Sequence, residues 1–332
     1  MTRGRYAVHR GMVAHHVRRR RPVPARAAAV AAGGVLIIGA VVALGVLTGQ
    51  DGGDSAQAAG EDTTTNSAQP VAERPPGIDA LPVPQQSGAA PTESPTDACA
   101  SAASVDVTDT ADYLAAFGGA EAFREAAAGG SDCIALDDPT TTWFVVNKTR
   151  PLNPVDFAPE VKVPDKTPSI VGGGLRPDAA DALDTLSAAI SAAGAGDIAL
   201  QSGYRSYQVQ VDTFNNQVGA LGEAGAEAIS ARPGFSEHQT GLAADVVACA
   251  NGNCGTIYDI AGTAQGDWLA ENSWQYGWIV RYEDGYTDIS GYNPEPWHLR
   301  YIGVELAKVY HDGGYHTLED FFGLPAAPDY AQ

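Results

Sequence analysis

Four histidines lie beyond residue 50 of this chain, and two of them sit among side chains that could hold a metal ion. The first belongs to Phe235-Ser236-Glu237-His238-Gln239-Thr240-Gly241-Leu242-Ala243-Ala244-Asp245. The second closes the short run Glu295-Pro296-Trp297-His298. If Leu242–Val247 is a strand, Leu242, Ala244 and Val246 share one face, and Asp245 points to the other between two small or apolar neighbours. Gly241 permits a turn that brings His238 back beside that aspartate. Two imidazoles and one carboxylate make a three-ligand zinc site with a fourth position open, which is the catalytic arrangement; structural zinc is usually closed by four protein ligands. Zinc lowers the pKa of a bound water to about 7, and a nearby carboxylate can take its proton. Glu295, three residues before His298, is the candidate base. Any one of these residues alone has an ordinary explanation as a hydrogen-bonded core or turn residue. Their combination points to a metallohydrolase that uses one catalytic zinc.

The elements that must position these groups follow from periodicity. Trp143–Val146 reads as a strand. Pro177–Ala193 reads as a helix with Leu183, Leu186 and Ile190 on one stripe and Gly194 as its stop. Ile198–Gln201 is a short strand leading to Ser206, an N-cap for a helix through Leu221. Leu242–Val247 and Trp278–Tyr282 are strands, and Leu306–Tyr310 and Thr317–Phe322 are helical. Helices interleave with short strands without a regular βαβ rhythm, so the fold class is α+β.

Residues 1–50 carry eight arginines and no acid, while the rest of the chain holds 12 basic against 40 acidic side chains. Such a surface repels nucleic acid. Ala27–Leu47 is an uncharged apolar run, long enough to cross a bilayer as a helix. Its arginine-rich flank predicts that the remainder lies outside the cell membrane. A cleaved signal peptide is the rival reading, but its apolar region is normally about 7–15 residues. The expected organisation is a basic cytoplasmic segment (1–26), a single transmembrane anchor (27–47), a Gly/Ser/Thr/Pro-rich disordered linker (48–97), a small helical appendage (98–141) and the zinc domain (142–326). Four cysteines fall on the outer side, and the expected bridges are Cys99–Cys133 and Cys249–Cys254.

Four blocks of the chain resemble the VanY-type D-alanyl-D-alanine carboxypeptidases, zinc peptidases of the bacterial cell wall. They are Val146-Asn147-Lys148 with Pro151-Leu152, Ser202-Gly203-Tyr204-Arg205-Ser206-Tyr207 with Gln210, Ser236–Ala243 with Asp245, and Glu295–His298 with Arg300-Tyr301. The resemblance implies that His238, Asp245 and His298 bind zinc and that Glu295 is the general base. It implies that Arg205 stabilises the oxyanion or the substrate's terminal carboxylate, and that Gln210 and Ser236 help seat that carboxylate. It also implies a small antiparallel sheet with packed helices, shared with the hedgehog domain, and a substrate drawn from peptidoglycan stem peptides ending in D-alanine. A D,D-carboxypeptidase is the first reading. An L,D-carboxypeptidase or endopeptidase would use the same metal chemistry, and a non-catalytic zinc-stabilised wall-binding module would have no use for Glu295.

Overall fold

The computed structural model describes residues 95–331. The expected basic segment, the transmembrane run 27–47 and the linker as far as residue 94 lie outside the described residues. Residues 95–97, expected as linker, instead open a helix, α1 (Pro95–Ala102). It is followed by α2 (Thr110–Ala116), α3 (Ala120–Ala128) and, after a long irregular run, α4 (Pro177–Ala192). Then come β1 (Asp197–Ser202), α5 (Tyr207–Glu227), β2 (Ala243–Ala250), β3 (Asn253–Cys254), α6 (Ala264–Asn272) and β4 (Trp278–Tyr282). The chain continues through α7 (Thr287–Ser290), β5 (Glu295–Tyr301), α8 (Val304–Asp312) and the single turn α9 (Leu318–Phe321). Among the described residues, no helix is long and apolar enough to cross a membrane.

The strands form one antiparallel sheet in the order β1-β2-β5-β4, with β3 paired to β2. This is the α+β architecture expected. One sheet face buries Ile198, Leu200, Leu242, Ala244, Val246 and Leu299 against Leu183, Leu186 and Ile190 of α4 and Leu269 of α6. Removing that apolar surface from water fixes which way each strand faces, because a one-residue slip would turn every side chain over. Asp245 and His298 are thereby left on the opposite side, away from the aliphatic core. α5 starts where expected, with the Ser206 hydroxyl accepting from the Val209 amide. Gly222, at φ 73°, then kinks the helix one residue after the expected end at Leu221.

Two expectations are corrected. Trp143–Val146 is buried but forms no strand: Trp143 ends a turn and the next three residues are irregular. Its backbone acceptors serve side chains instead: the Thr142 and Phe144 carbonyls accept from Arg300, and the Val145 carbonyl accepts from Arg150. The residues expected to form a helical appendage do form short helices, but these share a second hydrophobic cluster with later parts of the chain and do not stand apart. Tyr113, Leu114, Phe117 and Phe123 pack with Trp143, Ile279, Leu306 and Phe321, and the Tyr113 ring stacks on Trp143 at 5.0 Å. Helices this short do not persist in water without such tertiary packing. Both expected disulfides are present. Cys99–Cys133 ties α1 to the segment after α3, and Cys249–Cys254 joins paired residues of β2 and β3.

Candidate metal centre and active site

β2 and β5 are neighbours, and Asp245 pairs directly with His298 across them. In an antiparallel ladder such residues share a face at contact distance. His238 arrives from a 3₁₀ turn, Glu237–Thr240, that ends on Gly241 in the left-handed region at φ 72°. A Cβ at Gly241 would also press on Arg176 and Pro159 at 3.2 Å, so glycine is required on both counts. The turn sets His238 Nε2 3.2 Å from Asp245 Oδ2, while His298 Nδ1 lies 3.1 Å from Asp245 Oδ1. One ligand atom from each of the three residues lies within 4.8 Å of the others, and all three residues are buried.

Glu295 reaches the same place through an irregularity in the sheet. Val280 pairs with Leu299, but Tyr282 pairs with Glu295 where unbroken register would bring Trp297. Extra residues in one strand re-aim the side chains beyond them, and Glu295 Oε2 ends 3.6 Å from His298 Nδ1. These groups line a cleft of about 330 Å³ together with Arg205, Ser236, Tyr258, Tyr282, Tyr292 and Trp297.

The supports behind the site are specific. His238 Nδ1 faces the Gly203 carbonyl at 2.8 Å. His298 Nε2 lies 3.1 Å from Glu237 Oε2. Glu237 Oε1 accepts from Arg281 and Arg300 at 2.8 and 3.1 Å. Arg281 then forks onto both oxygens of Glu319, which also accepts from Asn147 Nδ2 at 2.9 Å. Arg205 donates to Gln210 Oε1 and Ser202 Oγ, and its Nη2 stands 3.9 Å from Asp245 Oδ2.

Charges follow from this packing. Burial alone would raise the Asp245 carboxyl, but the His238 and His298 imidazoles outweigh it and hold the group far below the usual carboxylate range. Burial also opposes ionisation of His298, yet the flanking Asp245 and Glu237 carboxylates push it up to about 10. His238 is lowered, chiefly by burial. Glu295 is pushed up to about 8, first by burial and then by the neighbouring Asp245 charge, against the opposing pull of His298 and Arg205.

The donor set fits a zinc ion. Asp245 Oδ1 is buried and makes no hydrogen bond despite its closeness to His298. A carboxylate with one orphaned oxygen and an imidazole nitrogen beside each of its two oxygens is what a cation would satisfy. His238, Asp245 and His298 would hold it, and the carboxylate behind His298 fixes the ring so that Nδ1 faces inward. Among the described residues no other group of His, Cys, Asp and Glu converges in this way. His311 stacks on Trp274, and His316 bonds Glu283.

Of the other residues singled out by sequence, Ser236 lines the cleft. Gln210 does not. It is fully buried, with its oxygen held by Arg205 and its nitrogen donating to Ala231 O and Ser230 Oγ. Its amide holds the Arg205 guanidinium from behind. Lys148 is buried rather than at the surface, donating to the Gly291 and Pro328 carbonyls. Sequence reasoning left Glu237, Arg281, Arg300 and Glu319 without roles. A signal existed: Arg281 interrupts the apolar run Trp278-Ile279-Val280, and Glu237 is the one acid between Phe235 and Ala244.

Three buried donors facing a cleft that also holds Glu295 and Arg205 form a candidate metallohydrolase site on an antiparallel sheet. The family described as VanY, D-alanyl-D-alanine carboxypeptidase, matches residues 173–304, which contain His238, Asp245, Glu295, His298 and Arg205. YodJ of Bacillus subtilis (strain 168), a carboxypeptidase by assignment, is 40% identical over 193 residues, covering 56% of this chain and 69% of YodJ. A D-alanyl-D-alanine carboxypeptidase of Enterococcus faecalis (strain ATCC 700802 / V583) is 40% identical over 122 residues, 34% of this chain and 43% of the relative. The solved LD-carboxypeptidase LdcB, whose structure is described as revealing the basis of peptidoglycan recognition, is 40% identical with a TM-score of 0.51. That likeness covers 55% of this chain and 86% of LdcB. The chain belongs to the VanY family and is a carboxypeptidase.

Proposed function

We propose that the protein is a zinc-dependent D,D-carboxypeptidase that removes the C-terminal D-alanine of peptidoglycan stem peptides. The observation that carries this reading is the triad His238, Asp245 and His298 opening on a cleft that also holds Glu295 and Arg205. Zinc held by the triad supplies Lewis acidity to a water molecule and to the scissile carbonyl. Glu295, 3.6 Å from His298 Nδ1 at the edge of the triad, takes the water's proton and returns it to the departing amine. Arg205, oriented from behind by Gln210 and Ser202, presents its guanidinium to the substrate's terminal carboxylate or to the developing oxyanion. Ser236 adds a hydroxyl at the same wall. The domain works outside the membrane, tethered by residues 27–47.

An L,D-carboxypeptidase acting on a stem one residue shorter is the second reading, favoured by the likeness to LdcB. The same residues would perform it. The two are separated by incubating residues 95–332 with defined tri-, tetra- and pentapeptide stems, with zinc or with chelator. D-Alanine released from the pentapeptide alone supports the D,D activity. Release from the tetrapeptide alone replaces it with the L,D activity. Binding without release at any length would leave a wall-binding module.

A further inference from the structure

One wall of the cleft is used by neither the metal triad nor the proton transfer. It is built by the segment that follows β2. The Cys249–Cys254 bridge closes its base, and the Gly255 amide donates to Ala248 O. Ile257 packs on Ala199, Val247 and Cys249. The Thr256 amide and hydroxyl both donate to Asp259 Oδ2 at 2.8 Å. The segment is thus pinned along its length, and what it presents to the cleft is Ile257 and, beyond it, the exposed ring of Tyr258.

Tyr258 is 69% exposed, the most exposed large apolar side chain among the described residues. Its one ring contact is the edge-to-face meeting with Trp297, at 5.2 Å and 78°. Trp297 immediately precedes the ligand His298, and both rings line the cleft with Glu295. The run Cys-Ala-Asn-Gly-Asn-Cys-Gly-Thr-Ile-Tyr over 249–258 carries no charge, and Asp259 is engaged by Thr256. The wall therefore recognises apolar, uncharged surface such as the methyl and methylene groups of a peptide.

We propose that Tyr258 and Trp297 form an aromatic lip that binds the stem-peptide residues on the N-terminal side of the scissile bond. This rests on the function read above, in which Arg205 and Ser236 take the C-terminal end, so that the peptide leaves the cleft along the wall that lacks charge. The lip makes affinity depend on stem length, and Tyr258 sets that dependence.

The test reads binding rather than turnover. Zinc-loaded Glu295→Gln is titrated calorimetrically with N-acetylated, D-alanine-terminated stems of two to five residues, beside Glu295→Gln/Tyr258→Ala and Glu295→Gln/Tyr258→Phe. Affinity in the parent is expected to rise with length. Tyr258→Ala should lose roughly ten-fold on the longest stem and little on the dipeptide, and Tyr258→Phe should restore most of it. An equal loss at every length, or no loss at any, overturns the lip. A loss seen only with stems carrying the disaccharide moves the contact to sugar and overturns the peptide assignment. Stems that bind with the expected length dependence but are not cleaved by the wild type overturn the proposed reaction and leave the lip standing.

Discussion

Glu319→Gln tests whether the charges buried behind His298 act as a unit. Glu319 and Glu237 together balance Arg281 and Arg300, and all four side chains are at most 3% exposed. In the wild type Arg281 Nη1 and Nη2 donate to the two Glu319 oxygens at 3.1 and 2.9 Å. Glutamine keeps the shape, but it removes one charge and sets an amide N–H against a guanidinium N–H. Breaking a buried, hydrogen-bonded pair from one side costs about 3–5 kcal/mol, because the remaining charge is left uncompensated. For a domain of this size each kcal/mol shifts Tm by roughly 2–4 °C, so the variant should melt about 6–20 °C lower. Calorimetry of chelated protein checks this without interference from the metal. Zinc affinity then reports how far the effect travels. Glu237→Gln, which touches His298, should lose about 10–100-fold, as removal of a ligand's hydrogen-bond partner usually does. Glu319→Gln, one guanidinium further out, should lose less. A Tm within about 2 °C of wild type, or a zinc-affinity loss larger than that of Glu237→Gln, would refute the view of the four side chains as one charge-balanced support.

Other expectations concern the cleft itself. Glu295→Gln should lower kcat by about 10²–10⁴-fold with zinc content retained, measured by D-alanine release and metal analysis; undiminished turnover removes Glu295 as the base. His238→Ala and Asp245→Ala should each abolish stoichiometric zinc, since three ligands leave no redundancy, and a variant that keeps full zinc displaces that residue from the metal. Arg205→Lys should bind zinc normally and lose activity, in KM if the guanidinium holds a carboxylate and in kcat if it holds an oxyanion. In chelated protein the Glu295 carboxyl is raised to about 8 from its ordinary 4.5, so the stability it contributes is present below pH about 4.5 and is lost as pH rises to about 8. Thermal scans across that window should show a decline that Glu295→Gln flattens, and an unchanged slope in the variant would refute the assignment.

The convergence of His238, Asp245 and His298 was legible in the sequence because its logic is local. His238 and Asp245 are linked by one glycine turn and one strand, and the alternation of Leu242–Val247 is enough to orient Asp245 away from the core. His298, on β5, needed only a pairing partner, which β2 supplies through Asp245. Glu295 was named from spacing, but its position depends on a register break opposite Tyr282 that no alternation rule reveals. The start of α5 was legible because Ser206 caps it, whereas the helix runs on past the expected end at Leu221, through the kink at Gly222, to Glu227. What could not be read is what depends on contacts distant in sequence. Asn147 meets Glu319 across 172 residues, and Arg300 reaches the Thr142 carbonyl across 158.

Those same long contacts explain why Trp143–Val146 deceived the sequence reading. Its composition is that of a strand, and nothing local says that its carbonyls face a buried guanidinium. Once Arg300 is placed on β5 with its side chain opposite the aliphatic core, it requires acceptors there, because a buried cation left unpaired is costly. Thr142 and Phe144 provide two of them, and Glu237 a third. The segment therefore could not also form a ladder through those carbonyls. The helices α1–α3 pack where this segment enters the core, with Tyr113 stacked on Trp143. Residues read as an appendage thus hold in place the backbone that completes the support behind His298. Their removal should weaken zinc binding even though none of them lines the cleft.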